Sequence, residues 1–91
     1  MTTTAVSHKL NGDNVTQVLG EARERLSTEE GEVVLDFSAV RRIDPSGLRA
    51  LEELAAAAEE KSIKVGLQGI GVDVYKVLKL AHLASRFTIL N

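Results

Sequence analysis

The sequence predicts an α/β domain: a four-stranded, mostly parallel sheet with helices packed against it, in the order β-α-β-α-β-α-β. Three observations carry this. Short apolar runs with β-branched residues alternate with longer runs whose apolar residues recur every three or four positions. Such alternation implies right-handed crossovers and therefore parallel neighbours. The central run, Glu32-Val33-Val34-Leu35-Asp36-Phe37, shows no polar alternation at its Val-Val-Leu centre, which suits a strand covered on both faces.

In chain order, Ala5 to Leu10 is a weakly alternating stretch that reads as a short strand near a sheet edge. Asn11-Gly12-Asp13-Asn14 is a turn cluster that also offers N-cap residues. Val15, Val18, Leu19, Ala22 and Leu26 then form one apolar stripe on a helix, with Gln17, Glu21, Arg23, Glu24 and Arg25 opposite. Gly20 lies inside this helix and costs about 1 kcal/mol relative to alanine unless close packing needs it. Residues 27–31 end the helix, and Glu32 to Phe37 is the central strand.

After a connection over residues 38–42, Leu48 to Glu59 reads as the second helix. Leu48, Leu51, Leu54, Ala55 and Ala58 line its inner face. Ile63 to Leu67 is the third strand, and residues 68–71 are a loop. The third helix opens at Val72 or Asp73 and runs through Ala81, with Val74, Val77, Leu78 and Ala81 inward. Phe87 to Leu90 closes the chain as a strand. With 91 residues and no linker, repeat or low-complexity tract, residues 1–91 form one domain with one modest core.

Composition excludes several functions. The only aromatics are Phe37, Tyr75 and Phe87, too few for base-stacking platforms, and a net charge of −2 gives no attraction to phosphate backbones, so nucleic acid is not an expected partner. The absence of cysteine removes disulfides, thiolate metal sites and thiol nucleophiles. No apolar run approaches the ~20 residues of a membrane span, and Met1 to Val6 lacks the pattern of a signal peptide, so the expected setting is cytoplasmic, without direct membrane insertion.

The segment that organises the chain is Ile43-Asp44-Pro45-Ser46-Gly47-Leu48, between the central strand and the second helix. Asp44 suits the N-cap, and Pro45 the first turn, where an N–H would have no partner. A polar loop on a helix N-terminus suits an anion, a phosphate or a partner protein. Ser46 reads either as a phosphoacceptor, whose added charge would meet the positive helix end, or as a first-turn serine without chemistry. Arg41 and Arg42 read as a phosphate clamp or as solvated loop charges. Asp36 and Asp44 could converge to bind Mg²⁺ or do acid–base work, although Asp44 as a plain cap explains the same residue.

Other constellations are weaker. His8 and His82 lie far apart with no ligand spacing, and neither has a triad partner nearby. Gly69-Ile70-Gly71 follows a strand and precedes a helix, but Val74 stands where a dinucleotide fingerprint needs a third small residue, so a tight turn is expected. Lys76 and Lys79 read as a solvated face. No metal or cofactor is expected.

Val33 to Ser38, the Ile43-Asp44-Pro45-Ser46-Gly47-Leu48 run and the strand Ile63 to Leu67 resemble the STAS domain, named for sulphate transporters and anti-sigma factor antagonists. The resemblance covers residues 32–90 well. Over residues 1–31 it is weak: Leu10 to Asp13 looks like a degraded Gly-Glu-Leu-Asp segment, and the chain has room for one of two usual early strands. The resemblance implies a non-enzymatic regulatory module that binds a kinase/anti-sigma factor through Asp44, Pro45, Ser46, Gly47 and Leu48, with Arg41 and Arg42 adjoining. It also implies that phosphorylation of the first hydroxyl after the aspartate breaks that complex. Pro45 occupies this position and has no hydroxyl, and Ser46 matches the next one. Leu67-Gln68-Gly69, Val74-Tyr75 and Leu78-Lys79-Leu80 are similar to the cytoplasmic STAS subunit of the Mla phospholipid ABC transporter, which implies an ATPase partner instead. Without the first family strand, an open sheet edge would allow a homodimer.

Overall fold

In the computed structural model, residues 5–12, 14–26 and 32–90 are described. The elements are β1 (Ala5–Asn11), α1 (Val15–Arg25), β2 (Glu32–Ala39), α2 (Pro45–Glu60), β3 (Lys64–Gln68), α3 (Val72–Leu80) and β4 (Thr88–Leu90), with a single 3-10 turn at Ala84–Arg86. All neighbours in the sheet are parallel and the strands stand in chain order, β1-β2-β3-β4. Every crossover therefore steps the same way. Right-handed connections then put all the helices on one face of the sheet.

That arrangement corrects one expectation. β2 is covered on one face, not two: Val33, Leu35 and Phe37 are buried, while Glu32, Val34 and Asp36 are half-exposed. The Val-Val-Leu run concealed an alternation that becomes visible only over the full strand. On the covered face β2 registers with Val65 and Leu67 of β3, and both join the core. On the open face, Lys9, Asp36, Gln68 and Leu90 form one transverse row.

The helices bury the stripes read from the sequence. Val15, Leu19, Ala22 and Leu26 are buried on α1, and Leu51, Leu54, Ala55 and Ala58 on α2. α1 begins after a reciprocal lock: the Asn11 N–H donates to Asn14 Oδ1 at 2.7 Å, and the Asn14 N–H donates to Asn11 Oδ1 at 3.1 Å. Asn14 is the N-cap, but its side chain turns back to β1 and makes no bond to the helix. The residues expected to end α1, 27–31, lie outside the described part.

α2 and α3 both close with paired bonds. Ser62 N–H reaches Glu59 O at 3.2 Å and Ile63 N–H reaches Ala58 O at 2.8 Å; His82 N–H reaches Lys79 O at 3.1 Å and Leu83 N–H reaches Leu78 O at 2.8 Å. Ser62 (φ 56°) and His82 (φ 60°) take the left-handed conformation that this ending requires. Leu78 and Leu83 are both buried, so the ending returns the chain to the core.

Gly20 is exposed, and a Cβ there would meet nothing within 4 Å. Packing therefore does not require it. Gly20→Ala is expected to stabilise the domain by about 0.5–1 kcal/mol. Thermal melts followed by circular dichroism check this: the midpoint should rise by roughly 2–8 °C.

Candidate functional site

β1 and β2 are parallel neighbours, so the loops leaving their carboxyl ends emerge side by side. The loop after β2 ends in Asp44, in extended conformation (φ −90°, ψ 172°), whose Oδ1 accepts a hydrogen bond from the Gly47 N–H at 2.7 Å. The Leu48 N–H donates to Asp44 O at 2.9 Å, the first turn of α2. Pro45 occupies the first helical position, as read from the sequence. α2 thus begins at Pro45, and the apolar spacing read from Leu48 onward starts within its first turn.

Gly47 is buried in this turn. A Cβ at its position would lie 3.0 Å from Ile43 Cγ1, 3.1 Å from Val15 Cγ1 and 3.2 Å from Asp44 Oδ1. The absent side chain lets α2 start close against the first residue of α1. Asp44, Pro45 and Ser46 remain exposed around it, and Leu48 is half-buried. The cap and the close packing hold the turn, and the polar residues face outward.

Two hollows flank this turn. One, about 390 Å³, is lined by Thr16, Pro45, Ser46, Arg49, Ala50 and Glu53, and so lies between α1 and α2. The other, about 210 Å³, is lined by Gly12, Val15, Thr16, Arg42, Ile43 and Asp44. Arg42 therefore adjoins the loop, whereas Arg41 is exposed and lines neither hollow. Glu53 pairs with Arg23 at 3.2 Å across the helices, with both side chains about half-exposed, so solvent leaves this contact little energetic weight. Thr16 and Arg49 were missed by reading motifs alone. Their signal was the parallel order of β1 and β2, which brings both loops to one edge.

The two aspartates proposed to converge are engaged separately. Asp36 Oδ1 accepts from the Ser38 N–H at 2.9 Å and from Ser38 Oγ at 2.7 Å. These bonds, with a smaller contribution from nearby Lys9, hold the Asp36 carboxyl below its ordinary value. The folded state therefore favours the charged form. That contribution is present above the ordinary aspartate value, about 3.9, and is lost as pH falls through the lower folded one. Asp44 is occupied by the Gly47 N–H. Among the described residues no group of three or more His, Cys, Asp or Glu is placed to hold a metal ion. His8 points its edge of β1 toward the helix-covered face, beside Leu35, while His82 is exposed after α3.

The Gly69-Ile70-Gly71 turn also meets the site's supporting loop. Gly69 has φ +71°, and a Cβ there would lie 2.9 Å from Ser38 Cβ and 3.1 Å from Ser38 Cα and N. The chain after β3 thus rests directly on the end of β2.

Residues 2–90 match the family described as "Mlab, STAS domain". The chain belongs to the STAS domain family. Solved structures agree on the fold. An NMR structure of the protein TM1081 superposes with a TM-score of 0.81 at 17% identity, covering 100% of this chain and 77% of that one. A crystal structure of TM1081 from Thermotoga maritima, there described as a candidate anti-sigma factor antagonist, gives 0.74 at 17% identity, with 100% and 75% covered. A sulfate transporter family protein from Wolinella succinogenes gives 0.77 at 20% identity, with 93% and 75% covered. No curated protein matches the chain. The STAS match takes in residues 2–31, where the sequence resemblance was faint.

Proposed function

We propose that this STAS domain is a non-enzymatic docking module that binds a partner protein through Asp44–Leu48 and the outer side of α2. One observation carries the reading: the first turn of α2 is fixed from behind by Gly47 and the Asp44 cap, while Asp44, Pro45 and Ser46 stand exposed. A surface that is rigid before contact loses little ordering entropy on binding. Arg42 and Arg49, with no ion pair among the described residues, supply charge on either side of it. A patch of this size fits the lower end of specific interfaces, and reversible binding.

The partner we favour is the ATPase of an ATP-binding-cassette phospholipid transporter in the cytoplasm. The family description supports it, and so does Pro45, which removes the hydroxyl from the position where a phosphoswitch would act. A second reading, a kinase or anti-sigma factor as partner, draws on Ser46. Its exposed hydroxyl lies in the first turn, where a phosphate would meet the positive helix end.

Affinity capture from the producing cells tests both. Ser46→Asp, which puts charge into the contact, should lower recovery of the partner by about tenfold or more, the scale of an interface hot spot. Pro45→Ala should leave recovery within about twofold, since the fixed φ is an advantage only at a position already helical. An ATP-binding-cassette ATPase in the eluate supports the first reading and a histidine-kinase-like ATPase the second. Full recovery with Ser46→Asp contradicts both.

A further inference from the structure

The turn between β1 and α1 holds chemistry that the docking surface does not use. Asn11 closes β1 and Gly12 follows it, the sole Asn-Gly pair in a chain whose other asparagines are Asn14 and Asn91. An asparagine ahead of a glycine has its side-chain carbonyl next to a backbone nitrogen that no Cβ shields. Both residues are exposed, so water and hydroxide reach the pair. A Cβ at Gly12 would meet nothing within 4 Å, and the turn is therefore open around that nitrogen. Asn11 Oδ1 accepts a hydrogen bond from the Asn14 N–H at 3.1 Å. This donor polarises the carbonyl and sits where negative charge develops when a nucleophile adds to Cγ.

We propose that Asn11 is a self-modifying site, at which the backbone nitrogen of Gly12 displaces the side-chain amide. The nitrogen gives up its proton to hydroxide and adds to Cγ. A new C–N bond forms, the Cγ–Nδ2 bond breaks, and Nδ2 leaves as ammonia after taking a proton from water. The resulting succinimide takes up one water, so the balance is asparagine plus water to acid plus ammonia. Opening at one carbonyl gives aspartate; opening at the other gives isoaspartate, whose main chain runs through Cβ and Cγ. No oxidant, cofactor or enzyme enters. Either product adds a negative charge beside the hollow that Gly12 lines with Arg42 and Asp44. Isoaspartate also lengthens the backbone by one carbon at the residue whose N–H donates to Asn14 Oδ1 at 2.7 Å. That loosens the junction ahead of Val15, the residue of α1 against which Gly47 packs. The chemistry needs no docking partner, so it stands or falls separately from the proposed function.

The test incubates the whole folded chain at mildly alkaline pH and maps the tryptic peptide of residues 10–23, which holds both Asn11 and Asn14. Asn11 should gain one mass unit, with release of one ammonia per chain, and a protein isoaspartyl methyltransferase should label the product. Gly12→Ala should slow the gain at least about tenfold, because the added Cβ crowds the attacking nitrogen. Gly12 is not in the left-handed region and has free space, so an unchanged melting point will show that this variant keeps the fold. A gain at Asn14 in place of Asn11, or an unchanged rate in Gly12→Ala, would overturn the proposal. So would an Asn11 that reacts in urea but stays intact in the folded chain.

Discussion

Phe37→Ala will cost the domain about 3–5 kcal/mol, the range for removing a fully buried phenylalanine. Phe37 is the largest fully buried side chain described, on the covered face of β2, and its carbonyl accepts from the Val40 N–H at 2.8 Å where the chain turns toward the site. Its loss leaves a cavity beneath both the sheet and the connection to α2. Apart from Phe87, the rest of the buried core is aliphatic. Against a typical total of 5–15 kcal/mol, the variant should be marginal, with a melting point lower by roughly 20 °C. Phe37→Leu, closer in volume, should retain most of the stability. Urea titrations of the three proteins check both statements.

Gly69→Ala is also expected to be strongly destabilising, and for a different reason. A left-handed φ costs a residue with a Cβ about 1–2 kcal/mol. The new carbon would also press on Ser38 Cβ and on its backbone at about 3 Å, where a flexible side chain cannot simply swing aside. Displacing Ser38 disturbs both bonds to Asp36. The combined loss should be about 2–4 kcal/mol, with overpacking supplying the remainder. Gly71→Ala is the control, because a Cβ there meets nothing within 4 Å. Equal melting points for the two variants would contradict the account.

How much of this was legible in the sequence follows from which residues state their role locally. Helical stripes are local, so Val15, Leu19 and Ala22, or Leu51, Leu54 and Ala58, declared their faces by spacing alone. Asp44 and Pro45 also signal a helix start by residue type, and the cap is found where they place it. What could not be read depends on strand order. Whether β2 is covered once or twice depends on the direction of every crossover, which no single strand encodes. The fit of Gly47 against Val15 joins residues far apart in sequence, and no spacing rule predicts it. Val72 and Leu80 lie outside the inward stripe Val74, Val77, Leu78 and Ala81, and both are exposed. Asp36 and Asp44 each accept a bond from a backbone N–H two or three residues on, at Ser38 and Gly47, and for Asp36 residue type and spacing do not reveal this local engagement.

The central claim is that the start of α2 touches another protein. A photo-activatable amino acid introduced in place of Ser46 tests this most directly, with the same group in place of Gln68, exposed on the open face of the sheet, as reference. Irradiation of the producing cells should give a covalent adduct with an ATPase from position 46 and none from position 68. An adduct from position 68 with none from position 46 would contradict the account.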